Sequence, residues 1–343
     1  MKITILEVAK KANVSVATVS RVMNGNYPVK AETRENVLKA IDELNYIPNM
    51  QARELTQQKS ATIGVVVPSI NNMFFPEVVN GIESHLKNKS LSIVLTCTNN
   101  DANEEKKCIN NLISRNVSGI ILIGPNTNNI RSKFYDNISS KIPIVFVNGH
   151  YVDSNISCVS NDEVMGAKIA LDYLLNNNHK NILFVRGKDS YSCDLKEQVY
   201  EEFMKKINNF KPNNIINIGN GNSSDTVDNT LNLFLELLKS SSATAVFACN
   251  DLMAVGVLNA CKKLNLNVPK DFSIIGYDNI LLSKFVEPKL TTMDQNMFLL
   301  GTNAAVLLIQ KIDCDNKYSK RIILNNCLVK RDTVGPNISL SHA

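Results

Sequence analysis

From Ala61 onward, the chain alternates short, unbroken apolar runs with segments of helical periodicity. There are seven such runs: ATIGVVVP, LSIVLTC, SGIILIG, IPIVFVN, NILFVRG, TAVFAC and FSIIGYD. Apolar runs of this kind are typical of strands buried on both faces, and helices between them are typical of parallel sheets. Four runs precede Asp162 and three follow it. Seven strands are more than we expect in a single sheet of this core. The pattern therefore predicts an α/β core of two doubly wound, parallel-sheet lobes.

The first 48 residues show helical periodicity alone. One helix is predicted to begin after Thr4, as in a capping box, and a second to begin after Ser15. A third is predicted within VKAETRENVLKAIDELNY, ending before Pro48. Two short helices joined by a tight turn, with the small Ala9 where they cross, form the helix-turn-helix pattern. We therefore predict an all-α helix-turn-helix head.

We assign Val8, Val14, Val19 and Val22 to the inner face of the head. The small and polar side chains of the second helix then face outward. The candidate DNA-binding residues of the head are Thr4, Ser15, Val16, Ala17, Thr18, Ser20, Arg21 and Asn24. Hydroxyl and amide side chains can bond phosphates, and Arg21 can reach guanine O6 and N7 in bidentate fashion. Residues 1–60 carry a net +3 of the chain's +5, which fits an anionic partner. The alternative is that any small helical domain contains such a corner.

Residues 49–60, NMQARELTQQKS, are polar and helix-compatible, which predicts a weak helix or a linker. We expect a head at 1–48, a hinge helix or linker at 49–60, a two-lobed effector-binding and dimerisation core at 61–335, and a tail at 336–343. Lobe 1 is expected at about 61–160 plus 292–320, and lobe 2 at about 161–291 plus 321–335. The loop GNGNSSD at 219–225 is expected to be solvent-exposed.

Polar and aromatic side chains follow several predicted strands, at the carboxyl ends where ligands gather in such sheets. The candidate effector-binding residues of these loops are Asn72, Phe74, Phe75, Asn148, Asn250 and Asp278. Asn and Asp side chains offer donors and acceptors to hydroxyls, and Phe74 offers an apolar face to a sugar ring. A cleft that binds a sugar or polyol is the functional interpretation. The alternative is that these side chains only cap the next helices, as predicted for Asn250.

The sequence lacks the signals of several other function classes. No dinucleotide-binding or P-loop glycine motif follows a predicted strand, and the four histidines are scattered. We therefore expect no enzyme, no cofactor and no metal site. The eight cysteines are also scattered, mostly in apolar runs, which predicts reduced core thiols. With no signal-peptide layout and no apolar run near the ~18 residues of a membrane span, we expect a cytoplasmic protein rather than an exported sugar receptor.

Six segments, in order and at matching spacing, resemble the lactose/galactose-repressor (LacI/GalR) family of bacterial transcription factors. They are TILEVAKKANVSVATVSRVMN, TRENVLKAIDELNYIPNMQARELT, IGVVVPSINNMFF, TAVFACNDLMAVGVLNACKKLNLNVPKDFSIIGYDN, PKLTTMDQNMFLLG and LVKRDT. The resemblance spans nearly the whole chain. It implies a head that reads the major groove, a hinge helix, and a core like periplasmic sugar-binding proteins. It also implies a homodimer on a pseudo-palindromic operator, and a repressor of carbohydrate-related genes controlled by a sugar or phosphosugar.

The resemblance assigns a hinge helix that forms on DNA and pushes a leucine into the minor groove. The matching residues here are Asn49, Ala52, Arg53 and Leu55. Glu54 departs from the small residue usual at its position, and a carboxylate near phosphates is expected to weaken the hinge contact.

The reading helix SVATVSRV is closer to catabolite-control members than to the lactose repressor, because small Val16 and Ala17 replace long polar side chains. Small apolar side chains favour a thymine methyl over a hydrogen-bonded base. We therefore expect a G·C pair read by Arg21 in the outer part of each half-site, with A·T pairs beside it.

Three positions depart from the family's effector pattern. Lys196 stands where many members have an effector-gripping arginine and is our seventh candidate effector-binding residue, while Val199 replaces a glycine and Met73 a proline. Lysine keeps the charge but loses the planar fork of arginine. These departures are expected to alter the sugar site that the resemblance implies.

Catabolite-control members answer instead to the phosphorylated carrier protein HPr, and reading a phosphoserine takes clustered Arg or Lys. The matching positions hold Ile47, Phe298, Leu299 and Val306. None is basic, so we favour a small-molecule effector over phosphorylated HPr. The tail DTVGPNISLSHA has no leucine heptad, which favours a dimer over a tetramer.

Overall fold

The computed structural model describes residues 3–25, 27–47, 60–149, 156–314 and 319–337, apart from the side chains of Asn24 and Cys314. Contacts divide the chain after Ser60 into an N-terminal helical head and a larger core. Each unit buries its own apolar cluster, as expected of independently packed domains.

Three helices make up the described part of the head: α1 (Ile5–Lys11), α2 (Val16–Asn24) and α3 (Ala31–Glu43). The Glu7 carboxylate accepts the backbone N–H of Thr4 at 2.7 Å, which stabilises the start of α1 as predicted for a capping box. In the turn, Asn13 adopts a left-handed φ of 52°, a region that asparagine tolerates better than most residues. Ser15 then caps α2 by accepting a backbone N–H.

The head encloses a small apolar core. Its buried members are Val8, Ala9, Val19, Val22, Val37 and Ala40. Val14 packs against this cluster while partly exposed, so all four predicted valines lie on the inner face. Burial of this cluster is what holds three short helices together, because isolated helices of this length are marginal in water.

The core alternates strands and helices along its length. In chain order, its strands are β1 (Thr62–Val67), β2 (Ser92–Cys97), β3 (Gly119–Ile123), β4 (Ile144–Val147), β5 (Ser157–Asn161), β6 (Ile182–Arg186), β7 (Ile215–Asn217), β8 (Ala245–Ala248), β9 (Ser273–Ile275), β10 (Thr292–Asp294), β11 (Arg321–Leu324) and β12 (Cys327–Val329). Its helices are α4 (Phe74–Lys87), α5 (Ala102–Ser114), α6 (Thr127–Arg131), α7 (Phe134–Ser139), α8 (Glu163–Asn176), α9 (Tyr191–Lys206), α10 (Thr226–Ser240), α11 (Asp251–Lys263) and α12 (Met297–Cys314). Among the helices described, none combines the length and apolar character needed to cross a membrane.

Two parallel sheets confirm the predicted two-lobed α/β architecture. Lobe 1 is built on a six-stranded sheet of order β11-β5-β4-β3-β1-β2, and lobe 2 on a four-stranded sheet of order β7-β6-β8-β9. The strands β10 and β12 form a separate antiparallel pair. Apolar clusters cover both faces of the first sheet and surround the second, which explains why the strand sequences read as unbroken apolar runs.

The chain crosses between the lobes more than once, and here the expected boundaries need correction. The strand Arg321–Leu324, expected in lobe 2, pairs with β5 in the sheet of lobe 1. Met293, expected in lobe 1, is buried in the apolar cluster of lobe 2. The assignment of these segments is wrong because strands of three or four residues carry too little pattern to show which sheet they join.

Two glycines allow α4 and α12 of lobe 1 to approach closely. A Cβ atom added at Gly81 would overlap the carbonyl oxygen of Phe298, and one added at Gly301 would overlap that of Val78. Backbone contact at both positions leaves no room for even a methyl group. This crossing holds α4, and with it the loop before α4, in place at one end of the sheet.

Candidate functional site

The outer face of α2 presents hydroxyl groups at its N-terminal end. The Ser15 Oγ accepts the Thr18 backbone N–H at 3.1 Å, and the two hydroxyl groups lie 2.9 Å apart. Ser15 and Ala17 are exposed, while Thr18 and Ser20 are partly buried. Hydroxyl and backbone N–H groups at a helix N-terminus are the groups that bond phosphates in protein–DNA interfaces.

Arg21 is exposed on the same helix, with its guanidinium carbon 5.6 Å from the centre of the Tyr27 ring. This cation–π contact orients the long arginine side chain. Tyr27 was not among the predicted residues because the contact joins the end of α2 to the loop after it. A tyrosine in a loop carries no periodic signal.

The other predicted head residues differ in how far their side chains are exposed, and some lie outside the described residues. Val16, expected to face DNA, is partly buried and packs against the apolar core of the head, because it occupies the first turn of α2 directly over that core. The Thr4 hydroxyl is exposed and lies 3.2 Å from the Glu7 carboxylate, to which it donates. The side chain of Asn24 and the predicted hinge residues Asn49, Ala52, Arg53 and Leu55 lie outside the described residues, as does Glu54.

A cavity of about 90 Å³ lies between the two lobes, at the carboxyl ends of strands β1, β3, β4, β6 and β8. All seven predicted effector-binding residues line it. They are Asn72, Phe74, Phe75, Asn148, Lys196, Asn250 and Asp278. The tertiary structure therefore brings together side chains that are spread over more than 200 positions of the sequence, and their binding role remains a prediction.

The lobe 1 wall combines aromatic and amide groups. Phe74 and Phe75 begin α4, are buried, and meet edge to face with their ring centres 5.3 Å apart. The Asn72 Oδ1 accepts the Phe74 backbone N–H at 3.0 Å, which fixes both the start of α4 and the amide orientation. A rigid aromatic surface beside an oriented amide suits a ligand with one apolar face and several hydroxyls.

A hydrogen bond spans the cleft. The Asn72 Nδ2 of lobe 1 donates to the Asn222 Oδ1 of lobe 2 at 2.8 Å. The Asn250 Nδ2 donates to the Gly221 carbonyl at 2.8 Å, while the Asn250 Oδ1 caps α11 by accepting the Met253 N–H at 2.9 Å. Asn250 therefore both caps a helix and lines the cavity, so its two interpretations are compatible.

The loop at 219–225 was expected to be solvent-exposed, and that expectation is wrong for most of its length. Gly221 is buried and Asn222 is partly buried, and both line the cavity. The loop follows β7, a strand of three residues that the apolar pattern did not reveal. Had β7 been recognised, the polar residues after it would have been assigned to the same sheet edge as the other candidates.

Gln295, also missed, joins the two lobes at the base of the cleft. Its Nε2 donates to the Asp278 Oδ1, and its Oε1 accepts from the Asn161 Nδ2 at 2.8 Å and from the Asn148 Nδ2 at 3.2 Å. Burial, together with the neighbouring Asp251 carboxylate, raises the pKa of Asp278 well above its usual range. The segment between β10 and α12 thus carries an amide that touches both lobes.

Lys196 lies on α9 with only 2 % of its side chain exposed. Its Nζ lies 3.2 Å from the Glu163 Oε2, donates to the Ser192 Oγ at 2.8 Å, and sits 3.7 Å from the centre of the Tyr277 ring. Burial lowers the pKa of Lys196, but the Glu163 carboxylate and other nearby groups outweigh burial and hold that pKa above its usual range. Lys196, the predicted counterpart of an effector-binding arginine, therefore has its charge compensated by Glu163 within the cavity wall.

The side chains around the cleft show which chemical groups it offers to a ligand. Among the described residues, no cluster of three or more His, Cys, Asp or Glu side chains is placed to hold a metal ion. The side chains that line the cavity include amides, hydroxyls and two phenyl rings, together with the charged residues Lys188, Asp189, Lys196 and Asp278. Such groups select a ligand by hydrogen-bond geometry and apolar contact.

Comparisons with known proteins agree with this architecture. Residues 4–49 match the family of bacterial regulatory proteins of the lacI type, and residues 171–334 match the periplasmic binding protein-like domain. Catabolite control protein A of Priestia megaterium is 35% identical, over 90% of this chain and 92% of that protein. The HTH-type transcriptional repressor PurR of Vibrio vulnificus (strain CMCP6) is 33% identical, over 96% of this chain and 98% of that protein.

Among solved structures, the chain resembles the crystal structure of the lac repressor dimer bound to operator and the anti-inducer ONPF. The TM-score is 0.86 at 27% sequence identity, over 98% of this chain and 100% of that one. The relatives are transcriptional regulators, so the prediction of a DNA-binding transcriptional regulator rather than an enzyme is confirmed. The chain belongs to the LacI family of bacterial regulatory proteins.

Proposed function

We propose that this protein represses carbohydrate-related genes in the cytoplasm, as a homodimer on a pseudo-palindromic operator, and that a neutral sugar or polyol in the inter-lobe cleft controls its DNA affinity. The observation that carries the proposal is the cleft wall, where amides from both lobes and two phenyl rings surround one cavity. A helical head with an exposed arginine and hydroxyls on α2 supplies the DNA-binding surface.

A neutral effector is favoured over a phosphosugar by the charges around the cavity. Lys196 is paired with Glu163, and Arg186, close by at the end of β6, pairs with Asp194 and Glu197. Strong phosphate sites use cations or backbone N–H groups that are free to contact the anion. A phosphate could therefore reach these two cations only by breaking existing ion pairs, which leaves the exposed Lys188 as the unpaired cavity-lining cation among the described residues, whereas hydroxyls need only amide partners.

The cavity also bounds the size of the effector. Its volume of about 90 Å³ lies below the roughly 300–1,000 Å³ of pockets for drug-sized ligands. A monosaccharide or small polyol is therefore the expected occupant of this lobe arrangement, and a larger ligand requires the lobes to open.

Control of DNA binding follows from linkage between lobe angle and ligand. The Asn72–Asn222 bond and the Gln295 amide both join the lobes and both border the cavity. An effector whose hydroxyls replace either set of hydrogen bonds has a higher affinity for one arrangement of the two lobes than for another. Operator affinity can change only by the ratio of the effector's affinities for the two states.

A small molecule is favoured over a phosphorylated carrier protein. Ile47 is 81% exposed, Phe298 43% and Leu299 48%. These positions offer apolar surface and no cation for a phosphoserine. Apolar surface of this kind suits a contact between protein chains better than recognition of a phosphate.

The DNA-binding half of the proposal is tested by selecting duplexes from random sequence with the full-length protein. We expect a two-fold symmetric site with a G·C pair in the outer part of each half. In fluorescence anisotropy, Arg21→Ala should lose about 1–3 kcal/mol of binding free energy and its preference for that pair. Lys39→Ala, an exposed position on α3, is the matched control and should keep the preference. Equal base preference in both variants would contradict the role of Arg21.

The effector half is tested by a thermal-shift screen of neutral sugars, polyols and phosphosugars, repeated with the selected DNA. A neutral ligand should raise the unfolding temperature of the core, and Asn222→Ala should reduce that increase. Asn217→Ala, outside the cavity at the end of β7, is the matched control. A stronger response to a phosphosugar than to its neutral parent would overturn the proposed ligand class.

A further inference from the structure

Two thiols share the wall of the inter-lobe cavity. Cys193 lies in the first turn of α9, and Cys249 directly follows β8. Both side chains are buried, at 7% and 3% exposure, and both line the cavity. The two thiols are close enough for each to affect the pKa of the other. The sequence alone predicted reduced core thiols and gave no sign of this pair, whose members lie 56 positions apart.

The surroundings make the two thiols unequal. Lys196 lies about one helical turn after Cys193 on α9, and its Nζ donates to the Cys249 carbonyl at 3.3 Å. The hydrogen bond from Cys249, with help from the Lys196 charge, lowers the pKa of Cys193 to about 6 against the effect of burial. Burial raises the pKa of Cys249 well above its usual value. These opposite pKa shifts favour Cys193 as the thiolate nucleophile and Cys249 as its thiol partner.

Access distinguishes this pair from the other cysteines that the structure describes. The cavity volume of about 90 Å³ leaves room for a molecule the size of hydrogen peroxide beside both residues. Cys261 is fully buried and does not line the cavity, and burial raises its pKa to about 12. Cys97 and Cys327, which are exposed, Cys108, which is partly buried, and Cys158, which is buried, do not line the cavity.

We propose that Cys193 and Cys249 form an oxidation site within the cleft, where hydrogen peroxide converts the two thiols into a reversible disulfide. The Cys193 thiolate attacks one peroxide oxygen, the O–O bond breaks, and the departing hydroxide takes a proton to become water. The Cys249 sulfur then attacks the resulting sulfenic acid, loses its proton, and displaces a second water. Two thiols and one peroxide give one disulfide and two waters, with two electrons passing from sulfur to oxygen.

A disulfide here alters the proposed effector site. It would link the start of α9 to the end of β8, the two segments that Lys196 joins through its own contacts. Moving Lys196 disturbs its pairing with Glu163 and therefore the wall that faces the ligand. This consequence rests on the proposed function, whereas formation of the disulfide does not.

The disulfide is tested directly on the full chain. The protein is treated with hydrogen peroxide, free thiols are alkylated, and peptides are mapped by mass spectrometry. We expect a peptide pair linked through Cys193 and Cys249, lighter by about two mass units than the reduced pair and released by a dithiol reductant. Cys97→Ser and Cys327→Ser, the matched controls, should retain the link, and Cys193→Ser should lose it. Oxidation of the exposed cysteines while Cys193 stays reduced would overturn the proposal.

A second measurement needs no variant. The rate at which iodoacetamide alkylates Cys193 in the native protein should rise to half its maximum near pH 6, since the thiolate is the reacting form. A half-maximum near the usual pKa of a thiol, about 8.5, would contradict the activated thiolate. A smaller thermal shift by the neutral sugar in the oxidised protein tests the regulatory consequence. If the link forms but the shift is unchanged, the oxidation site stands and its effect on the effector is refuted.

Discussion

Replacing Lys196 by methionine should destabilise the core more than an ordinary surface substitution. Methionine fills a similar volume but removes the ammonium group that Glu163, Ser192 and the Tyr277 ring contact. The Glu163 carboxylate, 6% exposed, would then remain buried without the cation that compensates its charge. An uncompensated buried charge is the reason for the expected loss.

The magnitude follows from the burial of both partners. Removing one member of a buried ion pair costs about 3–5 kcal/mol, and removing both charges together costs much less because neither is left uncompensated. We therefore expect Lys196→Met to lose about 3–5 kcal/mol of unfolding free energy. The double variant Lys196→Met with Glu163→Gln should recover at least about 2 kcal/mol of this loss, since the neutral amide that replaces the carboxylate would need no cation. Lys168→Met, an exposed lysine on α8, should change stability by less than about 0.5 kcal/mol.

The assay is urea unfolding of each variant at neutral pH. The chain contains no Trp, so circular dichroism is the suitable probe. The free energies of the wild type, the two single variants and the double variant close a thermodynamic cycle whose coupling term isolates the pair. If the double variant loses the sum of the two single losses, the charges do not compensate each other and the reasoning fails. The neutral-effector proposal would then lose its main electrostatic support.

Two further predictions concern stability. Gly81→Ala should cost about 1–3 kcal/mol, because its methyl group meets the carbonyl of Phe298, while Ser84→Ala on the exposed face of the same helix should be nearly neutral in urea unfolding. His179 is buried, with its Nε2 2.9 Å from the Gly335 carbonyl, and burial lowers its pKa. Its contribution to stability is present above the usual histidine pKa and is lost as the pH falls below it, so unfolding free energy should drop between about pH 7 and pH 5. A His179→Gln variant with the same pH slope would refute this assignment.

Much of the fold could be predicted because the signals are local and repeated. The unbroken apolar runs mark seven strands correctly, and their alternation with helices leads to parallel sheets. The capping residues Thr4, Ser15 and Asn250 show where helices begin, because a cap acts within about four residues of its own position. Several strands of three or four residues were missed, since so short a segment has no measurable period and is defined by its pairing partner.

The sequence by itself determined the helical head, the two-lobed α/β core, and six loop side chains that gather in one cleft, while the resemblance to the family added Lys196. It could do so because helical and strand periodicity, and the position of a loop at the carboxyl end of a strand, are encoded in neighbouring residues. Only the tertiary structure decided that Lys196 is paired with Glu163, that Asn222 and Gln295 bridge the lobes, and that two distant cysteines meet. Such contacts join residues far apart in the chain, so their geometry and charge balance depend on how complete elements pack together.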